Sequence, residues 1–198
     1  MKVTSAEFVT SAISSKTCPK QRLPEFAFAG KSNVGKSSLI NCLVNKKKLV
    51  KTSATPGKTQ MINYFRINDK IHFADLPGYG FAKAPESVRK NWDVMVEDYI
   101  QNRDSLLGVI FIVDIWRGLT ELDWGLKNWL NAYNKDYILV ASKCDKLTRN
   151  QMNKQLSKIR KELEEEEDQN ILAFSSKTKD GRKDLWNWIL RKADLLKT

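Results

Sequence analysis

Residues Leu23 to Asn41 read LPEFAFAGKSNVGKSSLIN, and the fold turns on this stretch. Phe26 to Ala29 is a short apolar run that meets a glycine, the pattern of a buried strand entering a tight loop. The loop, Gly30, Lys31, Ser32, Asn33, Val34, Gly35, Lys36 and Ser37, matches GxxxxGK[ST] between that strand and a helix over Lys36 to Val44. Glycines there let backbone N–H groups wrap a polyphosphate, and the helix N-terminus adds positive potential. Lys36 is placed to reach the β- and γ-phosphates, and the Ser37 hydroxyl, with Ser38 beside it, to ligate Mg2+.

Downstream, Lys46 to Gln60 is basic and rich in Thr and Ser, with Pro56 and Gly57 together, which predicts a mobile loop. Ile62 to Ile67 and Ile71 to Ala74 read as strands joined by a tight turn at Asn68 and Asp69. Asp75, Leu76, Pro77 and Gly78 follow directly. That order puts Asp75 at a strand's C-terminal end, facing the phosphate loop, where it can hold a magnesium-bound water, and lets the Gly78 N–H sense a γ-phosphate. Helical spacing marks two stripes, Val88, Trp92, Met95, Val96, Tyr99 and Ile100, then Leu122, Leu126, Trp129, Leu130 and Tyr133. Leu107 to Val113, Tyr137 to Ala141 and Ile171 to Phe174 are further buried strands. Two more helices carry Met152, Leu156, Ile159 and Leu163, and Leu185, Trp188, Ile189 and Leu196. This alternation predicts an α/β fold in three layers, a mostly parallel six-stranded sheet with helices on both faces. One domain over 25–198 is expected, with residues 1–24 an extension packed on or beside it.

Base choice falls to Ser142, Lys143, Cys144 and Asp145, again just after a strand. The Asp145 carboxylate can accept from guanine N1–H and the exocyclic amine, a donor pair that adenine lacks, while Lys143 packs its stem along the base. Phe174, Ser175 and Ser176 end another strand and can offer a backbone N–H to guanine O6.

With these motifs in order, the chain resembles the translation-factor class of P-loop GTPases, and within it the EngB (YihA/YsxC) family. The resemblance covers nearly the whole chain and rests on Leu23 to Asn41, TPGKTQMINYF from Thr55, DLPGYGFAK from Asp75 and SKCDKL from Ser142. It implies GTP/GDP and Mg2+ as ligands, and a nucleotide contact along Gly57, Lys58, Thr59, Gln60 and Met61. Thr59 would join Ser37 on Mg2+ as the switch threonine, with Thr52 and Thr55 as neighbouring alternatives, and Lys36, Thr59 and Gly78 would form the catalytic set. It also implies a role in assembly of the large ribosomal subunit, with its precursor and rRNA as partners, and a link to cell division and septation. Two positions depart from the pattern. Ser142 stands where Asn or Thr is usual, so a bond bracing the phosphate loop should be weaker, and Lys31 replaces Arg. Tyr79 stands where Ras-type enzymes carry a water-orienting Gln, which predicts slow intrinsic turnover. Asn33 either helps hold a potassium ion or braces the loop.

Composition agrees with a globular polyanion binder. Of 198 residues, 34 are Lys or Arg and 23 Asp or Glu, a net charge of +11. The acidic run Glu164 to Asp168 means the rest is more basic still, which favours contact with polyanions; rRNA is expected rather than DNA or a membrane. Three separated cysteines indicate neither a disulfide framework nor a zinc site, and no apolar run is long enough to cross a bilayer. A cytoplasmic monomer is the expectation. The competing functions are a P-loop ATPase or kinase, and an RNA-binding module with structural nucleotide. Core packing is the better account for the tryptophans on the apolar stripes, Trp92, Trp129 and Trp188; Trp116, beside Arg117, is the least explained of the six.

Overall fold

The computed structural model describes residues 2–50, 61–80, 86–163 and 171–195. Expectations for Lys51, Thr52, Thr55, Gly57, Lys58, Thr59, Gln60, Glu164 to Asp168, Leu196 and the Val88 side chain lie outside the described residues.

The strands are β1 (Ala6–Ala12), β2 (Glu25–Gly30), β3 (Ile62–Ile67), β4 (Ile71–Asp75), β5 (Leu106–Asp114), β6 (Tyr137–Ser142) and β7 (Ile171–Phe174). Helices α1 (Lys36–Val44), α2 (Glu86–Asn102), α3 (Glu121–Ala132), α4 (Arg149–Leu163) and α5 (Arg182–Lys192) connect them. Among the described residues seven strands form one sheet in the order β1-β3-β4-β2-β5-β6-β7. Neighbours from β4 to β7 run parallel, and β3 is antiparallel to both β4 and β1.

Side-chain alternation along the strands divides the core in two. Phe26 and Phe28 of β2, with Ile110 and Ile112 of β5, face α1 and α5, whereas Ala27, Ala29, Phe111 and Val113 face α2, α3 and α4. The three-layer α/β reading therefore holds. The small alanines on the second face leave room for Tyr64 and Tyr99, both fully buried. The turn between β3 and β4 spans Asn68 to Lys70 and places Asn68 and Asp69 at φ +51° and +54°, positive angles that Asn and Asp adopt more readily than most residues.

The strand count differs from the six expected. The N-terminal stretch supplies β1, paired from Ala6↔Ile67 to Ala12↔Ile62 with a bulge between Phe8 and Thr10. Its apolar residues are poor markers, because Phe8 and Val9 are exposed and only Ala6 and Ala12 are buried. Part of the expected mobile loop is also held in place: the buried Asn41 side chain donates to the Val50 carbonyl and accepts from the Val50 N–H, both at 2.9 Å. Leu122, expected on the inner stripe of α3, is 49% exposed; it leans toward Gly80 and Lys31 instead.

Candidate nucleotide site

The C-terminal ends of β2, β4, β5 and β6 converge on one rim, and the site is built there from backbone first. After Gly30 closes β2, the chain turns through Asn33 at φ +65° and Gly35 at φ +107°, then enters α1 at Lys36. A side chain at Gly35 would be strained at that angle, which explains the glycine. Val34 is buried and fastens the loop to the core, while Asn33 and Ser38 are exposed and Lys31, Ser32, Lys36 and Ser37 half-buried. The Ser37 hydroxyl, in the first turn of α1, makes no hydrogen bond among the described residues.

Asp75 ends β4 next to β2, with Phe28 as its register partner. Its carboxylate forms an ion pair with Lys36 Nζ in a nearly buried setting. The following residues lie against the phosphate loop. Lys31 and Tyr79 form a bridge, and the Ser32 N–H and hydroxyl both point at the Tyr79 carbonyl, at 2.9 and 3.1 Å. A Cβ on Gly78 would come within 3.3 Å of the Ser32 backbone, so glycine lets the two loops approach. Leu76 is in the core, and Pro77 offers its carbonyl to Trp92 Nε1 at 2.7 Å. Tyr79 is buried, T-shaped against Trp92, and donates through its hydroxyl to Asp123 at 2.5 Å. Burial, with Asp123 adding to it, pushes this phenol well above its usual range. Its side chain thus serves the core beneath the loop and is unavailable to orient water.

The guanine-type motif is joined to the same loop. Ser142 Oγ is 2.6 Å from the Val34 carbonyl and 2.9 Å from that of Val113, so the shorter residue still makes the brace that sequence reasoning expected to be weak. Lys143, at φ +63°, sends its ammonium to the Asn33 carbonyl and to Asp114 Oδ2, each at 2.8 Å. Asp145 Oδ1 accepts from the fully buried Ser175 hydroxyl at 2.6 Å, and Ser175 Oγ in turn lies 3.1 Å from the N–H groups of Lys177 and Thr178. This chain holds the Asp145 carboxylate in one orientation. Cys144 and Phe174 are buried supports, the Cys144 thiol being pushed up by burial and then by Asp180 and Asp145. Ser176 is half-buried beside them, and Met61 sits exposed at the start of β3.

Sequence reasoning missed Asp114, Asp123 and Trp92 as members of the site. A polar residue closing the apolar run of β5, as Asp75 closes β4, was the available signal for Asp114. The other two act through folding contacts that spacing does not reveal.

The residues fit a nucleotide with Mg2+. Among the described residues the Asp75 carboxylate engages one partner, and with about four lone-pair positions it keeps acceptor capacity, while the Ser37 hydroxyl opens the helix that follows the phosphate loop. Among the described residues no three His, Cys, Asp or Glu cluster as a metal cage. Mg2+ held by one hydroxyl, a carboxylate-bound water and phosphate oxygens needs no such cage. Nor is any described helix long and apolar enough to cross a membrane.

Comparison with known proteins agrees with this geometry. A family profile described as "50S ribosome-binding GTPase" matches residues 25–143. The probable GTP-binding protein EngB of Geobacter metallireducens is 52% identical over 94% of this chain and 91% of its own. That of Lactiplantibacillus plantarum is 41% identical over 96% of each chain. A crystal structure of a probable GTP-binding protein engB shares the fold with a TM-score of 0.72 and 24% identity, covering 86% of this chain and 98% of that one. Era in complex with MgGDPNP and nucleotides 1506–1542 of 16S ribosomal RNA aligns with a TM-score of 0.65 and 25% identity, over 86% of this chain and 56% of that one. A phosphate loop continuous with β2 and α1, a braced guanine-type carboxylate and near full-length relatives at 41–52% identity together place the chain in the EngB family of P-loop, GTP-binding proteins.

Proposed function

We propose that this GTPase binds GTP and GDP with Mg2+, hydrolyses GTP slowly, and uses the two nucleotide states as a switch in assembly of the large ribosomal subunit. The observation that carries the nucleotide part is the junction of Ser142 and Lys143 with the phosphate loop, through the Val34 and Asn33 carbonyls. It makes base recognition and phosphate binding one rigid unit. Asp145, oriented by Ser175, supports guanine over adenine and argues against an ATPase or kinase.

In this reading Lys36 exchanges its Asp75 partner for phosphate oxygens, releasing Asp75 to hold a metal-bound water. Ser37 and Thr59 would supply hydroxyl ligands to Mg2+, whose chemistry when bound would be to offset charge on the phosphates. Gly78 offers its N–H to the γ-phosphate, which draws the Asp75–Tyr79 segment toward the nucleotide. Since Tyr79 is committed to Asp123, water positioning falls to another group, consistent with slow intrinsic turnover. Asn33 is exposed and its side chain makes no hydrogen bond among the described residues, which supports the cation reading over loop bracing. Turnover faster in potassium than in sodium is the expected result; equal rates overturn it.

The ribosomal role is supported by the matching profile's description and by the net charge of +11. The link to cell division and septation, and a cytoplasmic location, belong to the same proposal. Cosedimentation with large-subunit particles tests it. Binding should be about tenfold tighter with a non-hydrolysable GTP analogue than with GDP, a modest coupling for a two-state switch. Equal binding in both states, as an RNA-binding module with structural nucleotide would give, or no binding, overturns the switch.

A further inference from the structure

Two basic segments that lie more than 130 residues apart in sequence meet on one face. Arg182, the first residue of α5, donates through Nη2 to the Leu43 carbonyl near the end of α1 at 2.9 Å, and Trp186 Nε1 reaches the same oxygen at 3.1 Å. The Cys42 thiol on α1 is raised by burial, with Arg182 and Lys179 lowering it. Immediately after α1 the chain presents Lys46, Lys47 and Lys48, all exposed. Lys46 is tied to the Ala6 carbonyl, and Asn41 pins the end of the segment at Val50. The turn is therefore a fixed platform. Lys47, Lys48, Lys179 and Lys183 make no ion pair among the described residues.

We propose that Lys46 to Lys48 and the Lys179, Arg182 and Lys183 cluster form one continuous basic surface across the α1–α5 layer, which binds the sugar–phosphate backbone of RNA. This rests on the ribosomal reading and gives it an address away from the nucleotide rim. Unpaired ammonium groups cost nothing in solvent but gain from releasing the counterions condensed on a polyanion. An anionic bilayer fits less well, because surface binding also needs an apolar anchor. The large apolar side chains exposed among the described residues, such as Phe8, Ile13, Val94 and Trp116, all lie on other elements.

The test uses the full chain with the GTP analogue and measures binding to deproteinised large-subunit rRNA as salt is varied. Lys47→Gln with Lys48→Gln, and separately Lys179→Gln with Lys183→Gln, should each lower the slope of log affinity against log salt by about 1.5. All four together should lower it by about 3. GTP turnover without RNA should not change, since none of the four contacts the nucleotide site. An unchanged slope for either pair overturns the single surface. Weaker binding to intact particles with unaltered binding to deproteinised rRNA assigns the surface to a ribosomal protein, and weaker binding only to phosphatidylserine vesicles assigns it to lipid; each overturns the proposal. Failure of the ribosomal reading looks different: the unsubstituted protein then binds neither particles nor rRNA while still turning over GTP.

Discussion

Two buried carboxylates, each paired with a cation, sit at opposite rims of the sheet and do different work. Glu25 starts β2 and is fully buried. Its Oε1 accepts from the Tyr64 and Tyr99 hydroxyls at 2.9 and 2.5 Å, and its Oε2 from Arg103 and Ser105 at 2.6 and 3.2 Å. Arg103 is committed as well, with two donors on the Pro19 carbonyl at 3.1 Å. Both phenols are held far from ionisation, by burial first and then by Glu25. Asp75 ends β4 and, among the described residues, its carboxylate engages only Lys36. A carboxylate that already accepts from four donors has no better state available, and Glu25 serves as a fastener for the segment leading into β2. An unsaturated pair can trade its partner for a ligand, which is what a phosphate and metal site requires.

The contrast can be broken by removing each carboxylate in turn. Glu25→Ala should have the larger effect, a loss of about 3–5 kcal/mol, because it strands the Arg103 charge and two phenols away from water. Urea unfolding measures it directly. Asp75→Ala should cost less, about 1–3 kcal/mol, because the Lys36 ammonium is 12% exposed and is not sealed in as Arg103 is at 3%. Single-turnover GTP hydrolysis, in contrast, should slow by about 10²–10³-fold, the usual cost of losing one preorganised electrostatic contact. If Asp75→Ala unfolds the protein as readily as Glu25→Ala does, the two carboxylates are not different in kind.

The same contrast explains what could be read from the sequence. The phosphate loop was legible because its backbone demands particular residues at particular spacings: positive φ at Gly35, close approach at Gly78, a lysine at the helix start. Parallel strands buried on both faces announced themselves as continuous apolar runs, and β3 and β7 begin and end where expected. Glu25 was not legible, because its partners lie 39 to 80 residues away and nothing local marks the carboxylate as buried. Strand β1 escaped because an edge strand buries little, and Leu122 misled because a helical stripe does not reveal which leucine faces a neighbouring loop. The Ser142 brace is present because a short side chain suffices when the loop itself comes to it.

The bulge in β1 bears on how copies of the chain meet one another. A sheet edge offers a row of unpaired backbone donors and acceptors, an invitation to any passing strand. Here the outermost strand carries an extra residue between Phe8 and Thr10, which twists the edge and interrupts its hydrogen-bond spacing midway. The charged Glu7 and Arg66 are paired across β1 and β3 beside it. A second strand laid flat along β1 would fall out of step after a few residues, so the strand that completes the sheet also discourages its growth from one molecule into the next.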